Sequence, residues 1–186
     1  YKALREELVA SSGDISEEME HATDTYCDVV MEHLDAHKGG RLFLEQRVDY
    51  SLWVRKGFGT ADCLIVSDEL LEVLDYKNGT GVPVSAVGNP QLRLYALGAI
   101  AAYGDLYDFR QVRYTIIQPH LHSITSEDIS LSDLLEWASA VVAPAAKLAY
   151  EGKGSFVPGS HCRFCAAKAV CAARAADALK IFDYGL

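Results

Sequence analysis

Three short strand-like runs follow one another almost without pause in this chain, and the third ends on a charged triplet. Residues 42–54 alternate loosely (Leu42, Leu44, Gln46, Val48, Tyr50), residues 58–66 form a second run, and Ser67-Asp68-Glu69 supplies a tight turn into the mostly apolar run 70–76. Runs this close in sequence pair as an antiparallel meander. The flanking patterns are helical. Upstream, residues 15–37 place Met19, Ala22, Tyr26, Val29, Val30 and Leu34 on one face, with Gly39-Gly40 as the stop. Downstream, Asn89-Pro90 opens a helix that runs to about Tyr103, where proline suits the first turn. A further strand spans 111–118 and is ended by Pro119-His120. A helix over 130–150 follows, with Ser130 as N-cap and Asp133 three residues on. The order helix, three-stranded meander, helix, strand, helix predicts a mixed α/β fold, a small central sheet flanked by helices. The expected divisions are a helical region over 1–40, a core over 41–150 and a cysteine-bearing tail over 151–186 packed on that core.

Composition narrows the class. A chain of 186 residues, half of them apolar, can bury one domain's core. No apolar run approaches the ~20 residues that span a bilayer, and no cationic-then-apolar leader is present. The expectation is a soluble cytoplasmic protein with no membrane partner. The chain begins at Tyr1 rather than Met, which implies a segment upstream. The net charge of −9 is unevenly spread: the first forty residues hold ten acidic residues against three basic ones. The tail carries Lys153, Arg163, Lys168, Arg174 and Lys180 against Asp177. A local basic surface can guide DNA despite an acidic total, so charge neither supports nor excludes DNA. Five cysteines, three of them in one short segment, argue for a metal or cluster site in a reducing compartment rather than a disulfide framework.

The chemistry concentrates on Asp62 and on Asp75-Tyr76-Lys77. These acids fall on adjacent strands joined by a tight turn, where opposite residues approach within a few ångströms. Two carboxylates so placed repel unless a cation sits between them, and a hard ion such as Mg²⁺ or Mn²⁺ takes oxygen ligands. Such an ion lowers the pKa of a bound water and neutralises charge on a scissile phosphate. Lys77 shares a strand face with Asp75 by the period of two. From there it can orient a nucleophile or stabilise the phosphorane. Glu45, on the preceding strand, is a candidate third carboxylate, with an ordinary surface acid as the alternative. Alone, an Asp-x-Lys is most often a surface ion pair; following apolar Leu70, Leu71, Val73 and Leu74, it sits where a solvated pair does not belong.

Gly59-x-x-Asp62, Asp75-x-Lys77 and Gln91-x-x-x-Tyr95 together resemble the PD-(D/E)XK nuclease superfamily, in its RecB-like exonuclease branch. The resemblance covers roughly residues 42–171. The run from Asp75 to Val84 and the stretch Asn89-Pro90-Gln91-Leu92 to Gly98 look closer still to a phage and prophage family of that branch. It implies a restriction-endonuclease-like fold and Mg²⁺- or Mn²⁺-dependent hydrolysis of DNA. Asp62, Asp75 and the Tyr76 carbonyl would be metal ligands and Lys77 the catalytic lysine. Gln91 and Tyr95 would face the DNA or support the site. The implied setting is phage recombination or DNA repair, with a recombination or helicase partner. The chain departs from the pattern in two respects: the branch's early cysteine should precede the first helix, where only Cys27 is a candidate, and its metal-binding histidine on the first helix has no match among His21, His33 and His37, which read as surface residues.

Cys162-x-x-Cys165-x5-Cys171 follows Pro158-Gly159 and lets thiolates clasp one metal centre. Some RecB-like nucleases close their fold with a [4Fe-4S] cluster on one early cysteine and a late trio at this spacing, so the resemblance implies such a cluster. Zinc completed by His161, or no metal at all, are the alternatives. Cys27, inside an amphipathic helix, reads as a buried structural thiol, and Cys63 as core. Two other functions compete with a nuclease: a catalytically weak module that binds DNA ends, and a zinc- or cluster-stabilised interaction domain.

Overall fold

The structure is a computed structural model that describes residues 16–183, with side chains described to Lys180. Ile15, where the sequence pattern begins the first helix, lies outside the described residues. Helix α1 spans Glu17–Ala36. Ser16 Oγ accepts the Met19 N–H at 3.2 Å, and Glu17, Glu18 and Glu20 place negative charge at the positive end of the helix dipole. The helix ends where His37 N–H turns back to Leu34 O and Gly39 takes a φ of 77°, a region open to glycine.

The sheet that follows has five strands in the order β1 (Arg41–Asp49), β2 (Phe58–Val66), β3 (Leu70–Tyr76), β4 (Gln111–Gln118) and β5 (Ser123–Ser130). The first three form the expected antiparallel meander. β3 and β4 are parallel, Leu70 opposite Gln111 through Tyr76 opposite Ile117, so the chain must cross over between them. Helix α2, Pro90–Tyr103, makes that crossing, opened by Asn89 Oδ1 on the N–H groups of Gln91 and Leu92. The result is a mixed sheet flanked by helices, restriction-endonuclease-like in its arrangement.

Two expectations fail locally. β1 stops at Asp49 rather than continuing to 54, because Asp49 Oδ1 takes the Ser51 N–H at 2.8 Å and Tyr50 O takes those of Trp53 and Val54. An aspartate that bonds the backbone two residues on replaces the ladder with a turn. β5 was not expected at all. Its sequence, Ser-Ile-Thr-Ser-Glu-Asp-Ile-Ser, holds only two apolar side chains, yet it pairs antiparallel along the whole of β4. An edge strand with one wet face needs little hydrophobicity, since its partner strand supplies the hydrogen bonds.

Ser130 caps helix α3 (Leu131–Trp137) through the Asp133 N–H, as its sequence predicts. The helix continues through a wide π turn over Ala138–Val142 into α4 (Ala143–Tyr150). Pro144 accounts for the widening: its ring has no N–H and would collide with the carbonyl four residues back.

Two apolar layers hold the sheet. One packs Leu64, Val66, Leu71, Val73 and Tyr114 against Leu92, Ala96 and Leu97 of α2 and Leu134 of α3. The other packs Cys63, Ile65, Leu74 and Ile117 against Val29 and Val30 of α1. Here the reading of His33 and His37 as surface residues is corrected. His33 Nδ1 lies 2.7 Å from Glu72 Oε1 and His37 Nε2 lies 3.4 Å from Glu72 Oε2, and Thr115 Oγ1 donates to Oε1 at 2.7 Å. Two histidines four apart share one helix face, and that face lies on a buried carboxylate. His21 is exposed, as expected.

By its internal contacts the chain divides into two compact units, up to Ala146 and from Lys147. The second holds the end of α4, a 3₁₀ turn over Ser160–Phe164 and helix α5, Ala172–Asp183.

Candidate active site

The site begins where the β2–β3 ladder opens. Pairing runs from Val66 opposite Leu71 to Cys63 opposite Leu74 and goes no further, although the same register would set Asp62 opposite Asp75. In place of a ladder bond, Asp62 Oδ2 accepts the Tyr76 N–H at 2.8 Å. The inward alternation of β2 slips at this point. Ala61 and Leu64 both belong to the core under α2, leaving Asp62 and Cys63 between them. Cys63 is buried under α1, as expected of it, and burial pushes its thiol up to about 12. Asp62 is left half-buried at the fork.

Asp75 stands across the fork, only 1% exposed. Gln91 Nε2, one residue into α2, donates to its Oδ1 at 3.2 Å and to the Tyr95 hydroxyl at 3.1 Å. The Lys77 ammonium lies 2.7 Å from Oδ2. That contact is an ion pair at hydrogen-bond distance but off the angle of a directed hydrogen bond, and Oδ2 has no other partner among the described residues. Burial raises the Asp75 carboxyl above the usual range. The Lys77 contact pulls it back, and the Asp62 charge adds to the rise.

Gly59 explains how Tyr95 fits. A Cβ there would come within 2.5 Å of Tyr95 Cε1, so only glycine lets the ring lie on β2. The loop between β3 and α2 is tethered from β4 and β5. Gln118 takes the Val84 N–H and donates to Val82 O, Thr125 takes the Ala86 N–H, and Glu127 takes the Gly88 N–H while pairing with Arg93. The unexpected strand therefore sets where α2, and with it Gln91, begins.

The structure thus brings Asp62, Asp75, Tyr76, Lys77, Gln91 and Tyr95 together. Glu45 is placed opposite Asp62 by the pairs on either side of it, but it is exposed, sits at a φ of 48°, and bonds to neither acid. Sequence reasoning missed Tyr26, whose phenol lies beside Cys63 and Asp62 and whose ring is 5.0 Å from that of Tyr76. Burial, reinforced by those two neighbours, holds its hydroxyl far above the ordinary phenol range. It also missed His120 and Asn78. Asn78 Oδ1 lies 3.0 Å from the Tyr76 hydroxyl and 2.7 Å from His120 Nε2. No local pattern ties residues 26 or 120 to residue 76.

Whether this fork suits a cation follows from its atoms. A buried Oδ2 with no partner besides Lys77, and an Asp62 charge that adds to the cost of ionising Asp75, are defects that a divalent ion repairs. Among the described residues no three His, Cys, Asp or Glu side chains converge on one point. The carboxylate donors at the fork are therefore two, and a hard cation there would take its remaining ligands from backbone and water oxygens.

In the second unit, Cys162, Cys165 and Cys171 are free thiols that line one groove with Phe156, Pro158 and His161. They do not converge as a ligand set among the described residues. Cys27, expected to be buried, is half-buried. No described helix is long and apolar enough to cross a membrane.

A family model described as "Protein of unknown function (DUF2800)" matches residues 2–186. Among solved structures, one titled "Crystal structure of SSO0001" is similar at 15% identity and a TM-score of 0.44, over 82% of this chain and 69% of that one.

Proposed function

The chain belongs to the DUF2800 family, and from the geometry of its site we propose that it is a metal-dependent DNA nuclease, acting as an exonuclease in phage recombination or DNA repair. The observation that carries the reading is the opened β2–β3 ladder, with Asp62 and Asp75 facing across it and Lys77 2.7 Å from Asp75. A purely structural ion pair does not require a strand pair to part.

Asp62 and Asp75, with the Tyr76 carbonyl, would hold Mg²⁺ or Mn²⁺, which supplies an activated water and charge neutralisation at the phosphate. The remaining work falls to the chain. The Tyr76 N–H fixes Asp62, and Gln91 fixes Asp75 while Tyr95 fixes Gln91. Lys77, half-buried, is positioned to share its charge between Asp75 and a phosphoryl oxygen as negative charge develops there. The thiols of Cys162, Cys165 and Cys171 are proposed to bind an iron–sulfur cluster, with zinc as the alternative. Anaerobic purification followed by iron, sulfide and zinc analysis decides between them.

The test is cleavage of end-labelled linear and closed circular DNA with Mn²⁺. Asp75→Ala and Lys77→Ala are expected to cut linear DNA at least ~100-fold more slowly. Wild-type rates in both variants would overturn the reading. Cutting of circular DNA would replace the exonuclease part with an endonuclease. Tight binding of DNA without turnover in either metal would mark a DNA-end-binding module instead.

A further inference from the structure

The face of β2 that leads to Asp62 is bare. Gly59 and Ala61 turn toward α2, so Phe58 and Thr60 point to the opposite face, and both are exposed. Helix α1 covers that face only from Cys63 onward. Phe58 leaves 56% of its surface exposed. The Arg47 guanidinium lies 4.2 Å from the centre of the Phe58 ring. Arg47 is opposite Thr60 across the β1–β2 ladder. Lys56, at a φ of 60°, stands two residues before Phe58 on the exposed hairpin end. Among the described residues neither Arg47 nor Lys56 has an ion-pair partner, whereas Arg93, Arg110 and Arg113 all do. The nearby Asp49 carboxyl is held below its ordinary range chiefly by Ser51, whose N–H it accepts, and to a lesser degree by the Arg47 charge.

Two cations without an ion-pair contact among the described residues, one of them over a face of an exposed aromatic ring, in a chain of net charge −9, complement a polyanion that carries its own flat rings. Stacking on an exposed aromatic needs a base whose face is free, which a duplex interior does not offer. We propose that Phe58, Thr60, Arg47 and Lys56 form a seat for the single-stranded end of a DNA chain, with an unpaired base on Phe58 and phosphates on the two cations. Phe58 precedes Asp62 by four residues, ~13 Å along a strand. That distance corresponds to about four nucleotides at the ~3.4 Å spacing of a stacked strand. The seat therefore delivers a strand end to the fork and gives the protein a preference for single-stranded or frayed ends. This proposal rests on the nuclease reading only for the destination of the strand.

Binding is measured on the full chain in EDTA, so that catalysis plays no part, by fluorescence anisotropy of a labelled 20-nucleotide oligo(dT) and of a blunt duplex of equal length. Wild type is expected to bind the single strand more tightly. Phe58→Ala should weaken that binding by ~5- to 100-fold with little effect on the duplex, and Phe58→Trp should restore it. Arg47→Ala and Lys56→Ala should each lower the slope of log affinity against log salt by ~0.7. Circular dichroism of each variant checks its fold. Equal affinity for both DNAs, or unchanged oligo(dT) binding in Phe58→Ala and Lys56→Glu, overturns the proposal. If these variants bind and cut like wild type while Lys77→Ala does not cut, the seat is wrong and the nuclease reading stands. If oligo(dT) binding depends on Phe58 but no DNA is cut, the nuclease reading fails and the seat stands.

Discussion

Strand β3 carries two buried carboxylates three residues apart, Glu72 and Asp75, 0% and 1% exposed. An odd separation sends them to opposite faces of the sheet. Glu72 faces α1 and is surrounded: His33 and His37 approach from the helix and Thr115 from β4, itself within 3.1 Å of Ser126 on β5. Asp75 faces the fork with a lysine and a glutamine, and each of the two carboxylates keeps one oxygen that meets a basic side chain without a directed hydrogen bond. Equal burial thus has two meanings. One carboxylate joins three elements through histidines and a threonine, while the other is held by a lysine and a glutamine at the open end of the ladder, with burial raising its carboxyl.

The comparison breaks first if Glu72 proves dispensable. Glu72→Ala strands His33 and Thr115 in the interior and leaves a void, and should cost ~3–5 kcal/mol in urea unfolding at pH 7. A loss below ~1 kcal/mol would show that α1 is held by its apolar contacts alone. Asp75→Asn should behave in the opposite way. Cleavage of linear DNA should fall by ~10²–10³-fold, while thermal stability at neutral pH stays level or rises. The sign follows from the raised carboxyl of Asp75. Between the ordinary carboxylate value of ~3.9 and the higher folded one, the folded chain holds a proton that the unfolded chain has lost. That contribution is complete below the lower value and disappears as pH rises through the upper one. Melting curves from pH 4 to 8 should show Asp75→Asn gaining on wild type across this window. A constant difference would refute the assignment.

Metal supplies a third contrast. At ~100 times its dissociation constant, Mn²⁺ should stabilise wild type by ~2.7 kcal/mol. Glu72→Gln should keep that gain and Asp75→Asn should lose it. A gain retained in Asp75→Asn would place the ion elsewhere. The smallest effect tests the support of the fork. Gly59→Ala drives a Cβ against Tyr95 and so disturbs Gln91, at a stability cost of ~1–3 kcal/mol. Cleavage should fall further than that loss of folded protein explains. Tyr95→Phe, which removes the hydroxyl but keeps the ring, separates the lost hydrogen bond from the clash.

Much of the fork was legible along the chain. Period-two alternation placed Lys77 with Asp75, and Asn89-Pro90 fixed the start of α2 to the residue. Helical spacing set Gln91 and Tyr95 a turn apart, and they are hydrogen-bonded. Glu45 was legible only as a neighbour on β1; its left-handed backbone leaves it exposed and outside the group. His33 and His37 looked like solvated helix residues because their partner, Glu72, lies thirty-nine positions beyond His33. β5 went unread because its hydrogen bonds come from β4 rather than from its own apolar residues.

By itself, then, the sequence determined the meander, the helix caps and the presence of two acids and a lysine on neighbouring strands, since these follow from local periodicity and turn chemistry. The tertiary structure decided where the β2–β3 ladder parts, which of the two β3 carboxylates meets the histidines of α1 and which meets Lys77 and Gln91, and that Gly59 makes room for Tyr95. Those outcomes depend on what packs across the sheet. Burial and the supply of hydrogen-bond partners are set by residues far away in the chain, so no local pattern encodes them.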